Sequence, residues 1–426
     1  MEIVRHFLLR TSSVLLVATL LMVSCKNDEQ YQENVTEETE EYTFFYPDNP
    51  LNVSACDAEN VACAFMRSDR GDNTQKSSDI SYCVQDLTVI PDENMEPAMY
   101  VINLSPDGFC IVSATKQIDP ILAYCDEGSF SLDNLSAGLA DWLYEKMEKI
   151  QYIRNDTSCA ISEPIAAIWH DYSNYNHTNK RRYASSPNFF RENYTIGPLL
   201  KTLWGQGYPY NYYLGKKCSN LDDKIYFGKY PTGCVATALA QVLKYYAYPE
   251  NKYKWSKMKS SYNEYSLMDE GAKNMAKMFL DLGEWLNMKY GCTGSDAFTS
   301  EIPNVLTTYF NYADGGIYRK LSVEEAEPIV RTEINNKRPV IMDGYGTLTK
   351  KREKYKFWKY KEVPDDGHCW VCDGYKQITS TILVIYDFKT KDTKTVTRKV
   401  NKTFYHMNWG EDGYGMGNMI IMDGSL

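Results

Sequence analysis

A chain of 426 residues, 43% hydrophobic and 14% aromatic, can bury a full core and has room for two or three domains, which excludes a disordered protein. Its net charge of -10 argues against a nucleic-acid partner, whose phosphates demand a basic face. The 35 tyrosines and eight tryptophans suit work outside the cytoplasm on polymeric or proteinaceous material.

Residues 1–24 have the pattern of a signal peptide: Arg5 and Arg10 flank an apolar run, Val14 to Val23, too short to span a bilayer as a mature helix. The run ends Leu21-Met22-Val23-Ser24-Cys25. That stretch resembles the lipobox of bacterial lipoproteins, with Met22 where leucine is commoner, and the resemblance implies lipidation of Cys25 and membrane attachment through that anchor. Residues 25–50 are an acidic tether, with Glu33, Glu37, Glu38, Glu40 and Glu41 keeping it solvated. Acids directly behind the lipidated cysteine resemble a surface-export signal. The expectation is an outer-membrane lipoprotein at the cell surface, or one released extracellularly after processing; the alternative is an ordinary periplasm-facing lipoprotein.

Residues 51–155 form a separate, smaller α+β unit. Met99 to Leu104 and Gly108 to Ser113 are strand-like runs joined by Pro106-Asp107-Gly108, hence a hairpin, and Asp119 to Tyr124 follows. Leu139, Leu143, Met147 and Ile150 recur at helical spacing and predict a helix over 135–150, with Asp133, Asn134 and Ser136 as candidate caps. Residues 156–194 lose the periodicity and read as an exposed linker, in which Lys180-Arg181-Arg182 is a natural processing site.

Residues 195–426 are helical first and strand-rich afterwards, predicting an α+β domain of two lobes with a cleft between them. Helices are expected from Cys234 to before Pro249, from Lys273 to Leu286 and from Glu301 to Phe310. Strands are expected at 339–342, 368–374, 380–388, 393–400 and 403–409. In Tyr230-Pro231-Thr232-Gly233-Cys234-Val235-Ala236-Thr237 a tight turn delivers a cysteine to a helix N-terminus, where unpaired N–H groups and the dipole favour a thiolate. The same stretch is equally compatible with a buried structural or disulfide cysteine.

A cysteine nucleophile needs a base, an orienting partner for that base, and oxyanion donors. Of five histidines, His6 lies in the signal and His170 and His177 in the linker region, leaving His368 and His406. His368 follows a glycine turn at the start of a strand, and position favours it as base, with Asn408 and Trp409 as orienter and cover. Twelve cysteines less Cys25 and Cys234 leave ten, and an exported chain permits disulfides whose connectivity spacing does not reveal. Cys369-Trp370-Val371-Cys372 lacks the helix of a redox motif and the second pair of a zinc site, so no metal and no cofactor is expected.

Trp204-Gly205-Gln206-Gly207-Tyr208-Pro209-Tyr210-Asn211, Pro231 to Thr237, Gly367-His368 with Asp373-Gly374, and His406-Met407-Asn408-Trp409-Gly410 stand in the order of the streptopain family, and the chain resembles that family over about 195–426. The N-terminal unit resembles the family's propeptide through Gly108 to Ala114 and Ile121 to Phe130. The resemblance implies a papain-like two-lobed cysteine endopeptidase made as a zymogen, inhibited by its own propeptide and acting on host or environmental proteins. It implies Cys234 as nucleophile, His368 as general base, Gln206 as oxyanion donor, and Asn408 and Trp409 as holders of the imidazole. Three departures stand out. Glu411 replaces a second tryptophan, a basic and aromatic segment occupies 350–361, and Cys369 and Cys372 flank the base. A catalytically silent surface-binding lipoprotein on the same scaffold is the alternative; Cys234, His368, Gln206 and Asn408 together disfavour it.

Overall fold

The computed structural model describes residues 49–69, 82–132, 137–156, 161–173, 189–215, 218, 226–263, 265–292, 294–345, 348–353, 356–364, 367–387, 393–410 and 418–422. The signal segment, Cys25, nearly all of the tether, Asp133, Asn134, Ser136, Cys159, Lys180-Arg181-Arg182 and Glu411 lie outside the described residues. The chain divides into two compact units, Met1–Ile121 with Glu145–His177, and Leu122–Tyr144 with Thr178–Leu426.

In the first unit, helix Ala55–Asp69 (α1) starts where Ser54 Oγ accepts from the Asp57 N–H at 3.1 Å, a side-chain cap on the first turn. Ala58, Val61, Ala62, Phe65 and Met66 recur at three- and four-residue steps and are buried. Strands Cys83–Pro91 (β1), Pro97–Ser105 (β2) and Phe109–Ser113 (β3) form an antiparallel meander, and the expected hairpin is the β2–β3 pair, in register from Met99↔Ser113 to Asn103↔Phe109. Helix Ala137–Asn155 (α2), whose residues from Glu145 on belong to this unit and whose earlier ones belong to the second, runs beyond its expected end, and its four expected core positions, Leu139, Leu143, Met147 and Ile150, are all buried. Arg154, in its last turn, explains the extra length: its guanidinium donates to the carbonyls of Pro97 and Ala114 and lies 3.7 Å from the buried Asp92 carboxylate. The supposed exposed linker contains a helix, Glu163–Ser173 (α3), with Ile168, Trp169 and Tyr172 buried and Trp169 Nε1 donating to the Ile118 carbonyl at 2.8 Å. Three turns amid polar sequence give too short a period to stand out.

In the second unit, helices Cys234–Tyr246 (α4), Glu270–Trp285 (α5) and Ile302–Phe310 (α6) come first, as expected, and a fourth follows at Val323–Asn335 (α7). Asp269 caps α5 by accepting from the Ala272 N–H at 2.8 Å, so the helix opens three residues before Lys273. A reciprocal Ser322–Glu325 capping box starts α7, which was not among the expected helices and carries Pro328 in its interior. Leu239 and Leu243 of α4 pack with Met275, Phe279 and Leu282 of α5, Phe310 of α6, and Trp204 and Tyr210, in a core that also takes in Cys369 and Val371.

The strand-rich half comprises Ile121–Cys125 (β4), Phe189–Ile196 (β5), Val340–Tyr345 (β6), Leu348–Glu353 (β7), Lys356–Pro364 (β8), Gly367–Asp387 (β9), Thr393–Asn408 (β10) and Asn418–Met422 (β11). β7 and β8 form a separate hairpin, on which the basic and aromatic segment lies. β9 is one strand of 21 residues where two were expected, and β10 likewise merges two. Tyr375 to Thr379 contain no breaker, and pairing with β10 from Thr393↔Asp387 to Asn408↔Val371 carries the ladder through them. The other edge of β9 is shared end to end: β6 pairs with Gly367–Cys372 and β5 with Tyr375–Ile382. The changeover falls at Asp373-Gly374, where the backbone of Gly197 approaches so closely that a Cβ there would lie 2.5 Å from the Asp373 oxygen. The whole is the α+β arrangement expected, helical half then β-rich half, with a smaller α+β unit before it.

Candidate active site

The turn before Cys234 is pinned from several sides. The Thr232 N–H donates to the Gln206 carbonyl at 3.1 Å, and Ser295 Oγ donates to the Pro231 carbonyl at 2.7 Å. Thr237 Oγ1 lies 3.1 Å from Thr232 Oγ1 and donates to the Gly233 carbonyl at 3.0 Å. Gly233 adopts φ 91°, and a Cβ on it would stand 2.7 Å from Met288 Sδ and 2.8 Å from the Ser295 oxygen, so no other residue fits. Cys234 is consequently the first residue of α4, half-buried and outside any disulfide, with its thiol at the positive end of the helix. That disposes of the disulfide alternative. The described residues hold one disulfide, Cys218–Cys292, away from the catalytic motifs in sequence.

The two histidines have different fates. His406 Nδ1 donates to Asp373 Oδ1 at 2.6 Å in a fully buried pair, and Asp373 Oδ2 accepts from the Leu200 N–H at 2.8 Å. This is a satisfied core histidine that holds the β9 changeover. His368, at the start of β9, is also buried, but its Nε2 bonds the Trp409 main-chain carbonyl at 3.0 Å. Its ring lies 6.2 Å from that of Trp370 at 12° and 6.0 Å from that of Trp409 at 32°. Burial lowers the His368 pKa to about 4, the bond to Trp409 opposing the shift, so the ring is neutral at pH 7. A carbonyl only accepts, so the ring proton sits on Nε2 and Nδ1 keeps the lone pair of a base.

The Asn408 side chain makes no hydrogen bond to His368, the partner expected of an orienting residue. Its amide pairs with that of Gln241 in α4: Gln241 Nε2 donates to Asn408 Oδ1 at 3.0 Å, and Asn408 Nδ2 donates to Gln241 Oε1 at 3.2 Å and to the Thr202 carbonyl at 2.8 Å. Gln241 Oε1 also accepts from the Trp204 N–H, and Asn408 Oδ1 from the Gly410 N–H, both at 3.2 Å. Asn408 thus ties the end of β10 to the nucleophile helix and to the Trp204 loop, while the neighbouring Trp409, through its carbonyl and ring, is what touches the imidazole. Gln206 is half-buried on the same loop, its backbone locked to the Cys234 turn. Sequence reasoning missed Gln241 and Asp373 as partners. A glutamine inside an otherwise apolar, fully buried helical stretch was the available signal for the first.

Cys369 faces the opposite side of β9 from His368, into the core around α4. Burial raises its pKa well above the ordinary thiol value, and the nearby Cys234 and Asp343 add to the effect. Burial likewise raises Cys372, and neither is oxidised. Among the described residues no group of three or more His, Cys, Asp or Glu side chains is placed to hold a metal.

A half-exposed helix-start thiol, a buried neutral imidazole and an amide network joining their elements coincide with what known proteins indicate. Residues 50–150 match the Spi protease inhibitor family. The chain is 23% identical to the thiol protease/hemagglutinin PrtT of Porphyromonas gingivalis over 77% of its own length and 34% of that protein, so it spans about a third of that relative. It is also 23% identical to streptopain of Streptococcus pyogenes, over 75% of this chain and 72% of the other. A solved fragment of Prevotella intermedia prointerpain A superposes with a TM-score of 0.48 at 22% identity, covering 78% of this chain and 90% of that one. Residues 204–417 match the peptidase C10 family, half of the chain and every motif residue around Cys234 and His368, and the protein therefore belongs to that family of cysteine peptidases.

Proposed function

We propose that this protein is a lipid-anchored cysteine endopeptidase, exported and made as a zymogen, that hydrolyses peptide bonds of host or environmental proteins. The observation that carries it is the placement of Cys234: an unoxidised, half-exposed thiol at the first position of a buried helix, behind a glycine that no other residue can replace. In the active form the Cys234 proton passes to Nδ1 of His368, and the thiolate adds to the peptide carbonyl carbon. The oxyanion accepts from the Cys234 N–H and the Gln206 amide. Collapse breaks the C–N bond as the imidazolium gives its proton to the leaving amine. Water, deprotonated by the neutral imidazole, then hydrolyses the thioester and regenerates the thiol.

The neutral, buried His368 supports a proenzyme, since the thiolate–imidazolium pair forms only when the ring is less desolvated than it is here; burial, not the bond to the Trp409 carbonyl, keeps it uncharged. The inhibitor-family match upstream supports the same reading. Trp409 shields the ring, and Asn408 holds the end of β10 from which Trp409 follows. The anchor at Cys25, surface display and processing at Lys180-Arg181-Arg182 belong to this proposal and rest on the sequence alone.

Full-length protein incubated with casein under reducing conditions tests it. The wild type is expected to shorten itself and degrade the substrate, and Cys234→Ala to do neither. A wild type that stays inert even after another protease has removed the first 194 residues overturns the reading, and leaves a silent binding lipoprotein. Labelling with a radioactive fatty acid that is lost in Cys25→Ser tests the anchor.

A further inference from the structure

Asp343 is an acid that the proposed reaction does not use. On β6 it follows Ile341 by two residues, which puts both on one face of the strand. Ile341 packs against the core around α4, directly across from Val371 of β9 in the same core. One cross-strand step further along that face, Asp343 stands opposite Cys369, at the spacing of about 5 Å that directly paired side chains adopt. Cys369 is shut inside the core and lies close enough to both Cys234 and Asp343 to be perturbed by each. Asp343 is half-buried rather than enclosed, so its carboxylate keeps access to solvent on the face of β6 that it shares with Cys369.

Its bonding leaves it unsatisfied. Tyr318 donates to Oδ2 at 3.4 Å, a long contact, and among the described residues no cation pairs with it. An ionised carboxylate offers about four acceptor sites, so most of its capacity has no partner among the described residues. A structural carboxylate at such a place has an arginine, a lysine or several N–H groups around it, as Asp92 and Asp373 do here.

We infer that Asp343 is a specificity-determining residue, whose carboxylate receives a lysine or arginine side chain of the peptide being cleaved, close to the scissile bond. The inference rests on the peptidase reading above. A fixed negative charge at a partly desolvated site attracts a cationic side chain and repels an acidic one, so it discriminates in both directions.

Two measurements test it on the full-length chain. The first uses peptides identical except for arginine, norleucine or glutamate at each position within three residues of the cleaved bond. At one position the wild type is expected to prefer arginine over norleucine by about tenfold in kcat/KM, and Asp343→Asn to bring that ratio to about one. No charge preference at any position, or one that survives Asp343→Asn, overturns the inference.

The second needs no hydrolysis: the rate at which Cys234 is labelled by a trimethylammonium-bearing methanethiosulfonate is divided by the rate for a neutral one, with the site read by mass spectrometry. Asp343→Asn is expected to lower this ratio about fivefold, as removal of one unit charge at close range should, and an unchanged ratio overturns the inference. If the ratio falls while the wild type cleaves nothing, the cation-receiving carboxylate stands and the peptidase reading falls. Asp343→Ser, checked by thermal melting, repeats both measurements should the asparagine variant fold poorly.

Discussion

His368 and Trp409 are joined twice, by the 3.0 Å bond from Nε2–H to the Trp409 carbonyl and by rings 6.0 Å apart. The bond fixes the proton on Nε2 and leaves Nδ1 with its lone pair, while burial keeps the proposed proton acceptor uncharged.

Acid should loosen this arrangement. The folded pKa of His368 is lowered from 6.5 to about 4, so as pH falls through that window the unfolded chain takes up the proton first. The stability tied to the neutral ring is complete above 6.5 and is lost towards 4. Thermal unfolding at pH 7 and pH 4.5 is expected to show a larger fall in Tm for the wild type than for His368→Gln. Equal falls would mean that the buried imidazole does not govern this part of the acid response.

Asn408→Ala should cost stability through the partner it abandons. Gln241 is completely buried, and loses both the donor and the acceptor of its reciprocal amide pair. Each unsatisfied buried group costs about 1–3 kcal/mol, which a denaturant melt resolves. Gln241→Leu combined with Asn408→Leu should cost less than the sum of the single changes, because the doubly apolar pair leaves fewer orphaned groups.

Gly233→Ala tests the turn. The added methyl meets Met288 Sδ and the Ser295 oxygen inside van der Waals distance, and alanine dislikes φ 91°. The expected loss is about 1–3 kcal/mol in stability, together with a drop in kcat/KM larger than stability explains, since the strain is relieved by moving Cys234.

Thiol mapping with iodoacetamide at pH 8 should separate the cysteines. Cys234 is half-exposed at a helix start and should react, whereas burial keeps Cys369 and Cys372 protonated and inaccessible. Cys63, pushed up to about 11 by burial, should also resist in the folded chain and react after denaturation. Rapid alkylation of Cys369 would show that the core beside the nucleophile is open.

Much of the nucleophile's setting was legible in the residues themselves. Gly233 before Cys234 and Pro249 after the helix are local signals, and local signals survive folding. The two histidines of this unit were legible because histidines are few, and the structure separates them: His406 is held by Asp373, His368 is not. What Asn408 bonds to was not legible, since its partner Gln241 lies far off in sequence and a lone asparagine beside a histidine suggests the nearer contact. The strand ends were misjudged for a related reason: Tyr375 to Thr379 look indifferent alone, and become strand only because β10 runs alongside. Helices α3 and α7 were not among those expected; α3 is short, α7 carries Pro328 in its interior, and tertiary burial and a capping box establish them.

The amide pair between Gln241 and Asn408 spans 167 residues of chain. During synthesis the nucleophile helix leaves the ribosome long before Asn408 and Trp409, and so before His368 has the carbonyl that holds it. A nascent chain carries Cys234 without a finished site around it. The match to an inhibitor family lies at residues 50–150, so that segment is complete before Cys234 is made.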